Sequence, residues 1–190
     1  LGNLAELYRA QGLFPAAEPL QARALAIREK ALVADHPDLA ASLSEQCELL
    51  REQGRYAQAG KLCARALDIR ERSLGRVHPD VALSLLASAE LYRVQYRFSA
   101  AEPLYRRALE IREQRLGRDH PEVATALIRL AALYADQRQY ALAERTLRRA
   151  VVIREARLGQ DHPDHAEALA RHVEAHGRDD VGDAHGEVFL

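Results

Sequence analysis

The sequence predicts an all-α fold, an α-solenoid of antiparallel helix hairpins. Three observations lead to this prediction. The His-Pro dipeptide recurs at a constant interval of 42 residues, at His36, His78, His120 and His162. Between these dipeptides, apolar residues are spaced as on one face of a helix. Alanines recur in the same register, and since only small side chains let two helices approach closely, they predict tight helix–helix crossings.

The repeats share one register along most of the chain. A single hairpin cannot bury its own apolar face, so successive hairpins are expected to stack on their nearest neighbours. We expect partial repeat 1 in 1–34, repeats 2 to 4 in 35–76, 77–118 and 119–160, a C-terminal capping helix in 161–176 and a flexible tail in 177–190. The register is set by Ile27, Ile69, Ile111 and Ile153, each followed by Arg-Glu, and by Ala17, Ala59, Ala101 and Ala143.

Repeat 3 illustrates the two predicted helices of a hairpin. The first is predicted from about Pro79 to Gln95, because proline fits the first turn of a helix and an acidic residue after it complements the helix dipole. The second is predicted from about Phe98 to Leu116. Gly117 is expected to end it, since glycine readily adopts the backbone conformation that terminates helices.

Charge and composition exclude several classes of function. The chain has 190 residues, 27 basic and 28 acidic side chains and a net charge of −1. Nucleic-acid binders normally carry a basic excess, so no nucleic-acid partner is expected. No run of about 18 apolar residues occurs, so no membrane span is expected either. We predict a cytoplasmic protein, and the preference for arginine over lysine indicates a bacterial source. Leu1 lies inside a helical pattern, so further sequence upstream is expected.

The chain contains two cysteines, both in repeat 2. Cys47 takes the register position of Ala89, at the tight helix crossing, and Cys63 takes that of Tyr105 on the second helix of the same hairpin. We expect both to be buried small apolar residues. They are expected to be neighbours without a disulfide, because the cytoplasm is reducing.

The repeat pattern resembles a tetratricopeptide repeat, of the long 42-residue kind found in kinesin light chains and many bacterial repeat proteins. The resemblance covers residues 1–176 and implies a protein-interaction scaffold whose first helices line a concave groove for a peptide or a partner helix. The motif residues that carry it are Ala89-Glu90-Leu91-Tyr92, Phe98, Ala101-Glu102-Pro103-Leu104-Tyr105, Ala108-Leu109-Glu110-Ile111-Arg112-Glu113 and His120-Pro121.

The resemblance also implies which residues line the groove. Kinesin-light-chain-like repeats usually carry an Asn pair that grips a peptide backbone, and here Ser44-Glu45, Leu86-Ala87 and Ile128-Arg129 replace it. The implied groove is acidic in repeat 2, apolar in repeat 3 and mixed, with Arg129, in repeat 4, which predicts a ligand with a basic end and an apolar anchor. The alternative is that these residues are merely solvated helix faces. The predicted lining is Glu45, Glu48, Arg51, Leu83, Leu86, Glu90, Arg93, Thr125, Ile128, Arg129 and Asp136, with Glu6, Arg9, Ser44, Glu52, Ala87, Val94 and Ala132 beside it.

Eight histidines raise the question of a metal site. The His-Pro histidines lie one per repeat, too far apart to share an ion, and are expected to shape the turn into the next helix. His165, His172 and His176 fall on one helix face, which is the only support for a metal-dependent enzyme. Catalytic motifs and cofactor loops are otherwise missing, so we predict no enzyme and no cofactor.

Two interpretations of the function stay open. The chain is either a scaffold for a protein or peptide ligand, or a structural, self-associating repeat segment of a larger regulatory protein. The tail at 177–190 is acidic with an apolar tip, and is either docked, including on a second copy, or disordered.

Overall fold

The computed structural model describes residues 2–158, which form eight helices. The chain divides into two compact units between Arg97 and Phe98, here called the N-terminal unit and the C-terminal unit. This division falls inside predicted repeat 3. The N-terminal unit contains α1 (Gly2–Ala10), α2 (Phe14–Ala31), α3 (Pro37–Glu52), α4 (Tyr56–Leu74) and α5 (Pro79–Val94); the C-terminal unit contains α6 (Phe98–Leu116), α7 (Pro121–Asp136) and α8 (Tyr140–Leu158).

The first helices of repeats 2 to 4 begin at the His-Pro dipeptides, as predicted. In each case the histidine side chain caps the helix, because its Nδ1 accepts a hydrogen bond from the backbone N–H two residues later. The N–H of Asp38 donates to His36 at 3.1 Å, and the same bond is 3.2 Å at His78 and at His120. The predicted structural role of these histidines is confirmed.

Two kinds of turn connect the helices. Gly75 and Gly117 follow α4 and α6 with φ of 84° and 90°, which confirms the predicted role of Gly117 in ending the second helix of repeat 3 and shows the same role for Gly75. The turn inside each hairpin also needs a positive φ. Gly12 and Gly54 supply it in the N-terminal unit, at 72° and 74°. Tyr96 and Arg138 occupy the same register position and adopt φ of 59° without the freedom of glycine.

In the N-terminal unit the helices form two layers. Second helix α2 packs against α1 and α3, and α4 packs against α3 and α5, so each second helix joins its own hairpin to the next first helix. Helices α3 and α5 also contact each other directly. A core cluster formed by Leu25, Leu39, Leu43, Ala66 and Ile69 fills the junction between α2, α3 and α4. This is the predicted stacking of hairpins.

In the C-terminal unit α7 packs against both α6 and α8. Its core contains Val123, Leu127, Ala131, Leu147 and Ile153, and each is at most 3% exposed. Ala131 lies at the predicted helix crossing. The predicted all-α solenoid of antiparallel hairpins is therefore confirmed over the described residues.

The cysteines correct one prediction. Cys47 and Cys63 are buried in the apolar cluster between α3 and α4, as expected, but they form a disulfide rather than two free thiols. Their register positions face each other across the hairpin with Cα atoms 5.6 Å apart, a separation that suits a disulfide. The expectation of free thiols came from an assumed reducing compartment and not from the geometry of the hairpin.

Candidate functional site

All eleven predicted groove residues lie on the first helices α3, α5 and α7. Seven belong to the N-terminal unit and four to the C-terminal unit. Most follow a stripe with the spacing i, i+4, i+7, i+11, which places side chains on one side of a helix. We call the stripes of α1, α3 and α5 the first-helix face; its residues are Glu6, Arg9, Glu45, Glu48, Arg51, Glu52, Leu83, Ala87, Glu90, Arg93 and Val94.

The predicted apolar residues differ in accessibility. Leu83 is 47% exposed, whereas Leu86 and Ile128 are each only 4% exposed. Ile128 belongs to the core cluster of the C-terminal unit. The stripe continues from Leu83 at Ala87, four residues later. Leu86 comes three residues after Leu83, so it lies beside the stripe, on the side of the helix that is turned toward the neighbouring helices. Leu86 and Ile128 are therefore core residues, and the exposed apolar contact on the first-helix face is Leu83.

The acidic residues of the first-helix face are largely neutralised by arginines. Glu6 pairs with Arg9 at 2.5 Å, and the same pairing three residues apart recurs at Glu48–Arg51 (2.8 Å) and Glu90–Arg93 (2.7 Å). The guanidinium of Arg9 lowers the pKa of Glu6 by hydrogen bonding to its carboxylate. Arg9 also reaches Glu52 at 2.5 Å and thereby joins α1 to α3. The acidic surface predicted at repeat 2 is mostly a row of ion pairs.

Glu45 differs from these acids. It lies half-buried on α3, and no cation within the described residues approaches it closely enough for an ion pair. The same register position holds Ala87 on α5 and the exposed Arg129 on α7. Thr125 is half-buried and Asp136 exposed on α7. Glu45 is therefore the acid of the first-helix face that remains available to a basic group.

On the second-helix side, ion pairs tie neighbouring hairpins together. Glu29 of α2 pairs with Arg65 of α4 at 2.6 Å. The same register positions pair again in the C-terminal unit, where Glu113 of α6 meets Arg149 of α8 at 2.5 Å. The glutamates of these two Arg-Glu dipeptides therefore link neighbouring hairpins. Each exposed pair contributes about 0–1 kcal/mol.

The arginines of the same dipeptides turn inward. Arg70 is 8% exposed and Arg112 3% exposed. Burial lowers the pKa of both guanidinium groups, because desolvation disfavours the charged form. Arg112 is paired with Glu122, whereas Arg70 is bound to serine hydroxyls. The sequence pattern, in which both arginines follow an isoleucine and precede a glutamate, does not distinguish between them.

A cleft of about 240 Å³ lies on the C-terminal unit, away from the predicted stripe. Its lining combines leucines with arginines. The Tyr134 hydroxyl on its border donates to Glu102 at 3.4 Å. No sequence motif marked this cleft, because its residues come from three helices. They include Leu109, Leu127, Leu130, Leu142, Arg106, Arg145, Arg149, Thr146 and Tyr134.

The described residues contain no group of three or more His, Cys, Asp or Glu side chains that could hold a metal ion. His165, His172 and His176, the predicted capping helix at 161–176 and the tail at 177–190 lie outside the described residues. Over residues 2–158, no helix combines the length and the apolar character that crossing a membrane requires.

Sequence models of the tetratricopeptide repeat match residues 39–114 and 88–156, and a second such model matches residues 1–38. A crystal structure of nearly identical repeats from a kinesin-light-chain-like protein of Podosopora anserina is 26% identical, with a TM-score of 0.76, covering 93% of this chain and 85% of that one. BtubC (BKLC) from P. vanneervenii is 27% identical, with a TM-score of 0.78, covering 92% and 69%. No curated protein matches the chain.

Proposed function

The chain belongs to the tetratricopeptide repeat family, and we propose that it is a scaffold that binds a peptide or partner helix on the first-helix face of its N-terminal unit. Repeats of this family generally mediate protein–protein interaction. The observation that carries the proposal is Leu83, a leucine that stays 47% exposed on a face whose acids are mostly paired. Single exposed leucines are ordinary, but this one lies in the stripe that the family resemblance assigns to ligand contact.

The surface defines the chemistry of the expected ligand. Leu83 offers an apolar contact, and Glu45 offers a negative charge without an ion-pair partner in the described residues. The ion pair of Arg9 with Glu52 joins α1 to α3, and Glu6 holds Arg9 in place, so this part of the face is ordered before a ligand arrives. A preordered surface loses less conformational entropy on binding. The ligand is therefore an extended or helical segment with an apolar residue near a basic one.

A random-peptide phage library, selected on the purified protein, tests this proposal. We expect recovered peptides to share an apolar residue with a nearby lysine or arginine. Leu83→Asp should abolish their binding, because a charge then meets the apolar side chain of the ligand. The matched control is Leu13→Asp, since Leu13 is also 47% exposed but lies in the turn between α1 and α2. Equal losses in both variants, or full binding by Leu83→Asp, contradict the proposed face.

Self-association is the second candidate function, and a different surface favours it. Leu4 and Leu7 of α1 are 44% and 53% exposed, and Ile27 of α2 is 51% exposed. The residue of α5 in the register of Leu7 is Leu91, which packs in the cluster that contains Ala59 of α4. The exposed surface of α1 thus fits a second helix of another copy. Light scattering that shows a mass increase with concentration, lost in Leu7→Asp, supports this alternative.

A further inference from the structure

Arg70 carries a buried positive charge at the first-helix layer of the N-terminal unit. Its side chain leaves α4 and ends between α3 and α5. One nitrogen, Nη1, makes both of its hydrogen bonds, to the hydroxyl oxygen of Ser84 at 2.5 Å and to that of Ser44 at 3.0 Å. Arg70 is 8% exposed and Ser84 2% exposed. The guanidinium is therefore fixed in place by two neutral groups.

Nothing within the described residues neutralises this charge at ion-pair distance. The carboxylate of Asp80 influences the pKa of Arg70 through space, without forming an ion pair with it. A buried guanidinium without a carboxylate partner is costly, because it gives up hydration without a matching anion. Nε and Nη2 of Arg70 make no hydrogen bond within the described residues. Both donors therefore lack an internal acceptor there.

The hydroxyl groups around Arg70 have different capacities. Ser44 donates its proton to the carbonyl oxygen of Ala40 at 3.0 Å, so it has no further proton to donate. The Ser84 hydroxyl accepts from Arg70, and within the described residues it donates to no acceptor. A serine hydroxyl that accepts one bond still has one proton to donate. Arg70 and Ser84 together therefore hold donors without an internal acceptor at one small site, and Ser84 directly follows the exposed Leu83 in the sequence.

The geometry points to a carboxylate-binding site formed by Arg70 and Ser84, with Ser44 holding the guanidinium in position. This inference rests on the proposed function, since it assigns one part of the bound peptide. A carboxylate is the expected ligand because its two oxygens match the parallel N–H groups of a guanidinium, which gives short, charge-assisted bonds. The carboxylate belongs to an Asp or Glu side chain, or to the C-terminus, of a peptide whose apolar residue contacts Leu83.

The C-terminal unit supplies the control for this inference. Arg112 occupies the register of Arg70, but it pairs with the Glu122 carboxylate at 2.5 Å and donates to the Glu122 backbone oxygen at 2.6 Å. Glu122 is in the register of Asp80, which is one methylene shorter. Asp80→Glu should therefore give Arg70 an internal carboxylate and close the site without removing any of its residues.

The direct test uses acetate as the probe and ¹⁵N-arginine-labelled protein. We expect acetate, compared with chloride at the same ionic strength, to shift the Nε–Hε resonance of Arg70, assigned with Arg70→Lys. The Arg112 resonance should not move, and in Asp80→Glu the Arg70 shift should disappear. Thermal unfolding confirms that Asp80→Glu is folded. An Arg70 resonance that does not respond to acetate in the natural protein, or that responds equally in Asp80→Glu, overturns the inference.

The peptide selection then separates this inference from the proposed function. Peptides with an acidic residue or a free C-terminus beside the apolar residue should weaken about tenfold or more in Asp80→Glu. Amidated and free peptides distinguish the C-terminal carboxylate from a side chain, and Glu122→Asp is the matched control that should leave binding unchanged. Selected peptides that bind through Leu83 without any carboxylate contradict the Arg70 site alone. Failure to select any peptide contradicts the proposed function, while the acetate titration still decides whether Arg70 accepts an anion.

Discussion

The α4–α5 junction of the N-terminal unit and the α6–α7 junction of the C-terminal unit use the same register positions with opposite electrostatic results. Arg112 is neutralised by Glu122, whereas Arg70 binds two serine hydroxyls and keeps its charge. Ala126 stands where the first junction has Ser84. One methylene and one hydroxyl group thus decide whether a buried arginine only links two helices or also remains available to a ligand.

The hairpin crossings of the two units show a similar contrast. At the α7–α8 crossing, Ala131 and Leu147 belong to one apolar cluster. The α3–α4 crossing uses the Cys47–Cys63 disulfide at the same register positions. Both solutions bury the crossing completely. The cross-link acts in addition on the unfolded chain, whose conformational freedom it restricts.

The largest effect is expected at this crossing. Reducing the Cys47–Cys63 disulfide should lower the free energy of unfolding of the N-terminal unit by about 3 kcal/mol, because it closes a short loop, with a sequence separation of 16 residues. Urea unfolding followed by circular dichroism, with and without reductant, measures this. The matched variant Cys47→Ala/Cys63→Leu copies the Ala131–Leu147 crossing and should not respond to reductant. Identical unfolding midpoints of the oxidised and reduced natural protein would falsify this prediction.

The next effect concerns the two junctions. Glu122→Ala should destabilise the C-terminal unit by about 2 kcal/mol, since it removes the carboxylate from a buried arginine; the half-exposed position of Glu122 keeps the cost below that of a fully buried pair. Asp80→Ala should cost about 0.5 kcal/mol, because Asp80 interacts mainly with the start of its own helix. Urea unfolding of both variants gives the comparison. Equal losses would show that the Arg112–Glu122 contact adds nothing beyond the helix-start effect.

An effect smaller than that of Glu122→Ala is expected in the turns inside the hairpins. Arg138→Gly should stabilise the C-terminal unit by about 1 kcal/mol, because glycine adopts the observed φ of 59° without steric cost. The reverse change at the matched turn, Gly54→Ala, should destabilise the N-terminal unit by a similar amount, as Gly54 has φ of 74°. Thermal unfolding of the two variants measures both. The idea of a strained turn is abandoned if Arg138→Gly lowers the melting temperature.

Much of the fold could be predicted from the sequence, because each repeat contains local signals that mark where its helices begin and end. The predicted second helix of repeat 3, from Phe98 to Leu116, has the observed bounds, and the first ends at Val94, one residue before the predicted Gln95. Histidine caps, first-turn prolines and terminal glycines are local signals. They act within one or two turns and do not depend on the rest of the chain.

The candidate site was less predictable, because exposure and pairing depend on neighbouring helices. Leu83 and Leu86 are both leucines on the same helix, yet one is 47% and the other 4% exposed. The two leucines are three residues apart and therefore point in different directions from the helix axis. Only the packing of the neighbouring helices shows which of the two directions is buried. Glu48 and Glu45 both read as acidic lining, but Arg51 neutralises the first. Such pairings depend on distances between side chains, which the amino-acid sequence does not give.

The sequence alone therefore determined the helices and their register, because those follow from contacts between near neighbours in the chain. It also determined the hairpin stacking, because every repeat carries the same apolar face and cannot bury it alone. The tertiary structure decided that Cys47 and Cys63 are joined and that Arg70 ends between Ser44 and Ser84 without a carboxylate. These outcomes depend on pairs of side chains that lie on different helices and are 14 to 26 residues apart in the sequence. They are decided by the exact positions of these side chains, and those positions are set only when the helices pack against each other.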